Sequence, residues 1–163
     1  MRVFEGKVFA VEQRDGMDIV VHGPAATIVA VDTSDRVTLV RQDRAPAVGK
    51  LLELPAGGVD DGESPLEAAQ RELREETGLH GGEWIEAATF FTTPGFCDEK
   101  MHLFIATGVE EGEADPQGGE DIELVRVPVA ELPRLIDEIE DGKTLAGLLL
   151  LLRLRLLRAS TAG

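Results

Sequence analysis

The sequence predicts an α+β fold in which a mixed sheet is covered by helices. Three observations support this fold class. The first half of the 163-residue chain contains runs rich in Val, Ile and Phe that are separated by turn residues, as strands are. A capped helix follows near the middle. Further strands and two helices come after it. Strands and helices are thus both present, but they do not follow the regular strand-helix order that predicts a parallel sheet.

The N-terminal half is predicted to be a meander of antiparallel strands. The candidate segments are 2–11, 18–22, 26–31 and 37–42. Asp15-Gly16 and Gly23-Pro24 mark the tightest breaks between them.

A helix is predicted to begin after Ser64 and to end at Gly78. Ser64 suits the N-cap position, Pro65 suits the first helical position, and Glu67 completes a capping box. Gly78 is typical of a helix C-terminus. The expected apolar face consists of Leu66, Ala69 and Leu73.

The C-terminal half is predicted to contain strands at 86–92, 100–109 and 122–127, a polar loop at 110–120, and helices at 129–140 and 145–158. The last helix carries one leucine stripe and further leucines on its other faces, so we expect it to be buried on more than one side, in the core and in a dimer. Its apolar run is well short of the ~20 residues that span a bilayer. The stripe consists of leucines 145, 148, 149, 152 and 156.

The charge composition argues against nucleic acid and anionic membranes as partners. Acidic residues number 31 and basic residues 16, which gives a formal net charge of -15. A phosphorylated substrate remains compatible with this charge if a divalent metal supplies local positive charge. The single cysteine, Cys97, excludes an intrachain disulfide, and the N-terminus lacks an apolar signal region, so we expect a cytoplasmic protein.

Three carboxylates converge on one face of the predicted helix. Glu72 and Glu76 are four residues apart, and Glu75 lies beside them. Like charges at this spacing repel by about 0.2 to 0.5 kcal/mol per pair, so the helix gains nothing from them by itself. A hard cation such as Mg2+ prefers oxygen ligands and would turn this repulsion into binding. A solvated acidic face is the alternative interpretation of the three glutamates alone.

The surrounding spacing favours the metal site. Residues 57–79 resemble the Nudix box of the Nudix hydrolases, Gly-x5-Glu-x7-Arg-Glu-U-x-Glu-Glu-x-Gly-U with U a bulky aliphatic residue, and every constrained position is filled. These positions are Gly57, Glu63, Arg71, Glu72, Leu73, Glu75, Glu76, Gly78 and Leu79.

The resemblance implies a Nudix αβα sandwich with a mixed sheet over residues 23–163, preceded by a short antiparallel β segment at 1–22 that takes part in dimerisation. It also implies metal binding by Glu72, Glu75, Glu76 and the carbonyl of Ala56. Arg71 and Glu63 are expected to form a supporting ion pair, and Gly57 and Gly78 to have structural roles.

Residues outside the box resemble those of the ADP-ribose pyrophosphatase subgroup. Pro94 lies fifteen residues beyond the box, within the run Phe91-Thr-Thr-Pro-Gly-Phe-Cys-Asp-Glu-Lys100. Arg44 is a candidate to bind a phosphate through its guanidinium, with a plain surface arginine as the alternative. Asp98 and Glu99 are candidates to accept hydrogen bonds from ribose hydroxyls, with a solvated turn as the alternative. Glu53 is the remaining candidate substrate contact.

A catalytic base is expected on the polar loop. In the subgroup a glutamate of this loop is a general base or metal ligand, and Glu120 is the nearest match, with Asp121 and Glu123 as alternatives. We also assign catalytic roles to Glu75 and Glu76. Adenine is often stacked between aromatic side chains, but the chain has no Tyr and one Trp, Trp84. Because the N-terminal segment of the subgroup commonly takes part in dimerisation, Phe4 and Phe9 of a partner subunit are candidates for this role, and the sequence leaves the stacking residue undetermined.

The predicted activity is Mg2+-dependent hydrolysis of ADP-ribose to AMP and ribose 5-phosphate by a homodimer, with Mn2+ or Zn2+ as possible substitutes for Mg2+. The alternatives are another nucleoside diphosphate sugar, a dinucleoside polyphosphate, or a nucleotide-sensing module without catalysis. Gly142-Lys143-Thr144 is similar to the end of a phosphate-binding P-loop, but Asp137 stands where that motif needs Gly. The three histidines, His22, His80 and His102, lack zinc-ligand spacing.

Overall fold

The computed structural model describes residues 1–47, 49–112 and 122–161. The strands are β1 (Arg2–Glu5), β2 (Ala10–Arg14), β3 (Met17–Val21), β4 (Pro24–Asp32), β5 (Arg36–Arg44), β6 (Gly49–Glu53), β7 (Ala56–Gly58), β8 (Leu79–His80), β9 (Glu83–Phe91), β10 (Lys100–Glu111) and β11 (Glu123–Pro128). The helices are α1 (Pro65–Thr77), α2 (Leu132–Leu135) and α3 (Gly142–Thr161). Short 3-10 turns lie at Ala45–Ala47, Val129–Glu131 and Ile136–Glu138.

The strands form a small sheet and a large one. The small sheet has the order β1-β2-β3, and the large sheet has the path β11-β5-β4-β10-β8. Strand β6 adds to β5, β7 adds to β4, and β9 adds to β10. Strands β4 and β10 are parallel, whereas the other pairs of the large sheet are antiparallel. The large sheet is therefore mixed.

Strand β4 explains why helices cover both faces of the large sheet. Its residues 25–31 are all buried, and successive side chains of a strand point to opposite faces. Ile28 and Ala30 pack with the buried face of α1, while Val29 and Val31 pack with the buried face of α3. The result is an αβα sandwich, which confirms the predicted fold class.

Helix α1 has the ends that its sequence predicts. The Ser64 side chain accepts a hydrogen bond from the Glu67 amide, and the Glu67 carboxylate accepts one from the Ser64 amide at 2.8 Å. Gly78 adopts a left-handed conformation with φ 72°, which a glycine tolerates best. The predicted apolar face needs one correction, because Leu66 is 38% exposed and Ala68 is buried in its place beside Ala69 and Leu73.

The small sheet is joined to the turn that precedes β10. Val20 donates a backbone hydrogen bond to the Phe96 carbonyl at 2.7 Å, and the Asp98 amide donates one to the Val20 carbonyl at 3.1 Å. Strand β3 thus holds the segment that contains Pro94.

Several predicted boundaries are wrong. Residues 2–11 form two strands, because the Gly6 amide bonds the Phe9 carbonyl at 2.9 Å and closes a turn. The predicted helix at 129–140 is broken into two 3-10 turns and α2, since Pro133 lacks an amide donor and disfavours a continuous helix. Glu110 and Glu111, assigned to the polar loop, extend β10.

The pairing of strands also departs from the prediction. The N-terminal half does not form a simple antiparallel meander, because β4 pairs with β10 from the second half of the chain. The short strands β6, β7 and β8 were not predicted. Their two to five residues carry too little periodicity to be recognised without their partners.

Helix α3 packs on the sheet through one face. The residues of this face are Thr144, Gly147, Leu148 and Leu151. Of the predicted leucine stripe, Leu148 is buried and Leu152 is partly buried against the core, whereas Leu149 and Leu156 are 49% and 72% exposed. Within the part of the chain that the structure describes, α3 is therefore not fully covered on a second side. Among the described residues, no helix has the length and apolar character needed to cross a membrane.

Gly147 sets the distance between α3 and the sheet. A Cβ atom at this position would lie 2.5 Å from Leu54 Cδ1 and 2.9 Å from Val29 Cγ2, which is closer than side chains pack. We expect Gly147→Val to lower the free energy of unfolding by about 1–3 kcal/mol through overpacking. Urea denaturation measures this change.

Gly142→Ala is the matched control, since no atom lies within 4 Å of its added Cβ. Its free energy of unfolding should stay within about 1 kcal/mol of the unmodified protein. A Gly147→Val protein as stable as this control would contradict the proposed close approach.

Candidate functional site

A cleft of about 600 Å³ opens beside β7 and the start of α3. Its lining includes Ala56, Gly57 and Gly58 of β7 and the basic residues Arg44 and Lys143. Phe90 and Met101 provide apolar surface, and His22 and Glu99 lie at its polar side. The cleft therefore combines apolar surface with acidic and basic groups.

The acidic face of α1 meets this cleft at β7. Glu72, Glu75 and Glu76 do not line the cleft themselves, but two of them contact the strand that does. The Ala56 amide donates to Glu76 Oε2 at 3.1 Å. The Glu72 carboxyl lies so close to Gly57 that a Cβ there would be 2.1 Å from it. Gly57 is therefore needed for the Glu72 carboxyl to lie against the strand.

Arg71 is the cationic centre of the acidic face. It bonds both carboxylate oxygens of Glu63 at 3.0 Å, and it also bonds Glu72 and, at 3.3 Å, Glu75. Its fifth contact is the Gly58 carbonyl at 3.0 Å. The structure thus contains the expected ion pair of Arg71 with Glu63. Arg71 also bonds two of the candidate metal ligands, Glu72 and Glu75.

The pKa values of this network follow from those contacts. Hydrogen bonds and charge from Glu63 and Glu72 outweigh burial and raise the pKa of Arg71, which stays protonated. The same hydrogen bonds from Arg71 lower the pKa of Glu63. Burial dominates at Glu72 and raises the pKa of its carboxyl despite Arg71. A negative charge at Glu72 is therefore costly unless a further cation approaches it.

The residues present fit a hard divalent cation in their chemistry. The candidate donors are carboxylate oxygens and a backbone carbonyl, which suit Mg2+ or Mn2+ better than Zn2+. Within residues 1–47, 49–112 and 122–161, no three acidic or histidine side chains are gathered closely enough to form a ready metal cluster. Glu72 and Glu75 instead point to Arg71, so binding would require their carboxylates to turn towards the metal.

A buried carboxylate holds both Arg44 and Lys143, which line the cleft. Glu53 is 2% exposed, and Arg44 bonds its two oxygens at 2.7 and 3.0 Å. Lys143 also bonds Glu53 Oε2 and lies 3.0 Å from Asp141 Oδ1. Burial alone raises the pKa of Glu53, but hydrogen bonds and charge from Arg44 and Lys143 outweigh it and keep that pKa low.

The predicted ribose contacts lie in different surroundings. Glu99 lines the cleft, where its carboxylate accepts a hydrogen bond from Thr92 Oγ1 at 2.6 Å and lies 3.6 Å from His22 Nδ1. Asp98 does not line the cleft. Its Oδ1 atom accepts hydrogen bonds from the amides of His22 and Gly23, at 2.8 and 3.3 Å. Asp98 thereby joins the Pro94 turn to the chain entering β4.

The candidates for the catalytic base are only partly described. Glu120 and Asp121 lie outside the described residues. Glu123 begins β11 and lies 3.6 Å from Arg41 on β5. It does not line the cleft.

Lys143 and His22 are among the cleft residues that the sequence reasoning missed. Lys143 was considered only as part of a rejected P-loop similarity, and His22 only as a zinc ligand. Both lie in the cleft because of pairing far along the chain, Lys143 with β6 and His22 with the Pro94 turn. The spacing of neighbouring residues in the sequence does not predict contacts between such distant segments.

Comparisons with known proteins agree with this geometry. Residues 21–148 match the NUDIX domain family. The ADP-ribose pyrophosphatase of Bacillus subtilis (strain 168) is 33% identical over 156 residues, covering 88% of this chain and 84% of that protein. The ADP-ribose pyrophosphatase of Mycobacterium tuberculosis (strain ATCC 25618 / H37Rv) is 38% identical over 137 residues, covering 81% of this chain and 66% of that protein.

Other relatives have another substrate in their names. The GDP-mannose pyrophosphatase of Escherichia coli (strain K12) is 35% identical over 134 residues, covering 75% of this chain and 70% of that protein. A crystal structure described as an ADP compounds hydrolase superposes with a TM-score of 0.78 at 23% identity, over 94% of this chain and 89% of that one, and so shares the fold.

The family match spans most of the chain, and the relatives named ADP-ribose pyrophosphatase confirm the resemblance to that subgroup, which the sequence indicated through residues 57–79 and the run around Pro94. The αβα sandwich places those residues on and beside one cleft. This chain belongs to the Nudix family and is a Nudix hydrolase.

Proposed function

We propose that this protein hydrolyses the pyrophosphate bond of ADP-ribose, giving AMP and ribose 5-phosphate, with Mg2+ as its metal. The contact between the acidic face of α1 and strand β7 carries the proposal, since it brings oxygen donors to the wall of a cleft that also holds Arg44 and Lys143. Relatives named ADP-ribose pyrophosphatase support the choice of substrate.

Glu72, Glu75, Glu76 and the Ala56 carbonyl would hold the metal. When bound there, Mg2+ supplies a Lewis acid that neutralises charge on the phosphate oxygens and lowers the pKa of a coordinated water. Arg71 and Glu63 orient the helix face, and Gly57 leaves room for the Glu72 carboxylate. Gly78 ends α1 just after this acidic face.

The reaction adds one water across the phosphoanhydride. The water oxygen forms a bond to one phosphorus, and the bond from that phosphorus to the bridging oxygen breaks. A carboxylate takes the proton of the water, and the leaving phosphate carries the negative charge. We assign the base to Glu120, by its match to the glutamate that serves in this role in the ADP-ribose pyrophosphatase subgroup, with Glu75 and Glu76 assisting. A general base must lie within ~3 Å of the attacking water.

Arg44 is assigned to a phosphate of the substrate, since its guanidinium lies in the cleft wall and carries permanent charge. Glu99 is assigned to a ribose hydroxyl, since it lines the same cleft. For Asp98 the same role would require it to exchange its two backbone hydrogen bonds for the substrate.

We infer a homodimer in the cytoplasm, with residues 1–22 as the dimerisation segment and 23–163 as the hydrolase domain. The small sheet exposes large apolar side chains that a second subunit would cover. These are Met1, Val3, Phe4, Val8, Phe9 and Met17.

A second nucleotide sugar is the alternative substrate. Relatives named GDP-mannose pyrophosphatase match this chain at 35% identity, so GDP-mannose is the specific competitor of ADP-ribose.

Glu76→Gln tests the proposed metal site. The amide keeps the shape of the side chain but removes the charge, so we expect kcat for AMP release from ADP-ribose to fall roughly 100-fold or more at saturating Mg2+. Glu83→Gln is the matched control on the exposed start of β9 and should keep its activity. Near-normal turnover by Glu76→Gln would refute the assignment.

Gly57→Ala tests the contact between helix and strand. The added Cβ would displace the Glu72 carboxylate, so we expect kcat to fall about 10- to 100-fold, as when groups that orient a metal ligand are lost. The melting temperature should change little, because the displaced group is the end of a flexible side chain.

Gly58→Ala is its neighbouring control, since no atom lies within 4 Å of a Cβ there. Equal losses of kcat in the two variants would show that the Glu72 contact is not the cause.

A further inference from the structure

Lys143 is held in the cleft wall more firmly than a surface lysine. Its side chain is 15% exposed, it bonds Glu53, and it lies 3.0 Å from Asp141. It follows the first residue of α3. Fixing a lysine side chain with four rotatable bonds costs conformational entropy. We therefore expect Lys143 to make an interaction that offsets this cost.

The residues beside Lys143 fix its backbone. Thr144 is completely buried, and its hydroxyl accepts a hydrogen bond from the Leu54 amide at 2.8 Å. The same hydroxyl and the Thr144 amide both donate to Asp141, at 2.6 and 2.9 Å. The start of α3 is thereby bonded to residues 53 and 54, which lead into β7.

Neutralising Glu53 does not by itself require Lys143. Arg44 already bonds both oxygens of this carboxylate, and a two-point guanidinium pair is the stronger partner. Lys143 is therefore a second cation bonded to Glu53, whose charge Arg44 already neutralises. Asp141 offsets part of the Lys143 charge but is itself bonded to the amide and hydroxyl of Thr144.

The position of the two cations points to an anionic ligand. Arg44 and Lys143 line the same cleft as the backbone of β7, in a protein whose formal net charge is -15. Glu99 and Asp141 line the cleft as well, so the attraction of a phosphate to Arg44 and Lys143 is local and does not depend on the charge of the cleft as a whole. Guanidinium and ammonium groups bind phosphate oxygens through charge-assisted hydrogen bonds.

We propose that Lys143 binds a phosphate oxygen of the substrate, and that Glu53 is a positioning residue that holds Lys143 and Arg44 as a pair. Glu53 then acts through these cations and does not itself contact the substrate, in keeping with its 2% exposure. This inference rests on the proposed function, because it concerns the diphosphate group of the same substrate.

Lys143→Met and Lys143→Arg form the first test. Lys143→Met keeps much of the side-chain volume and removes the charge, so KM for ADP-ribose should rise about 10-fold, as expected for loss of one charge-assisted hydrogen bond. The kcat value should change less than KM. Lys143→Arg retains the charge and should recover most of the loss.

A binding measurement separates Lys143 from the metal and from catalysis. In calorimetry in the presence of a chelator, the Kd for ADP of the Lys143→Met protein should be about 10-fold higher than that of the unmodified protein. Lys50→Met, on the exposed start of β6 outside the cleft, is the control and should bind ADP as the unmodified protein does.

The outcomes distinguish the two proposals. If Lys143→Met leaves KM and Kd within twofold and lowers only the melting temperature, Lys143 is a structural tie and the inference is overturned. If the unmodified protein binds ADP but does not cut ADP-ribose, the proposed substrate fails while the Kd comparison still tests Lys143.

Glu53→Gln tests the positioning role. If Glu53 acts through the cations, the rise in KM for the Glu53→Gln, Lys143→Met double variant should be smaller than the product of the two single rises. Multiplicative effects would show that Glu53 acts independently and would overturn its assignment.

Discussion

The contact between α1 and β7 is the constraint on which the rest of the site depends. Glycine at position 57 lets the Glu72 carboxylate lie against the strand, and the Ala56 amide binds Glu76. Three carboxylates on one helix face repel one another, and Arg71 compensates this by bonding Glu63, Glu72 and Glu75 together. The part of α1 that carries Glu72, Glu75 and Glu76 is thus held against β7, which lines the cleft.

The basic residues of the cleft are held in place by a buried carboxylate. Arg44 and Lys143 bring positive charge into a cleft of a strongly acidic protein, and buried Glu53 holds both of them. The packing of α3 makes this possible, because Gly147 lets the helix approach the sheet and Thr144 ties its start to Leu54. The cleft therefore holds two cations together with the strand that the acidic face of α1 contacts.

Local signals in the sequence were sufficient for the parts of the site that lie on one element. Ser64, Glu67 and Gly78 predicted the ends of α1, and the spacing of Glu72, Glu75 and Glu76 placed them on one face. Contacts between distant segments were not predictable in this way. The parallel pairing of β4 with β10, the burial of Glu53 between two cations, and the use of Asp98 to hold the chain before β4 all depend on tertiary neighbours.

The most direct measurement of the central claim is a substrate comparison with purified protein. AMP release from ADP-ribose would be measured beside GMP release from GDP-mannose, with Mg2+ and with a chelator. The proposed site predicts hydrolysis that requires the metal and prefers ADP-ribose by kcat/KM. Undiminished hydrolysis in the chelator would contradict the metal site, and a preference for GDP-mannose would contradict the assigned substrate.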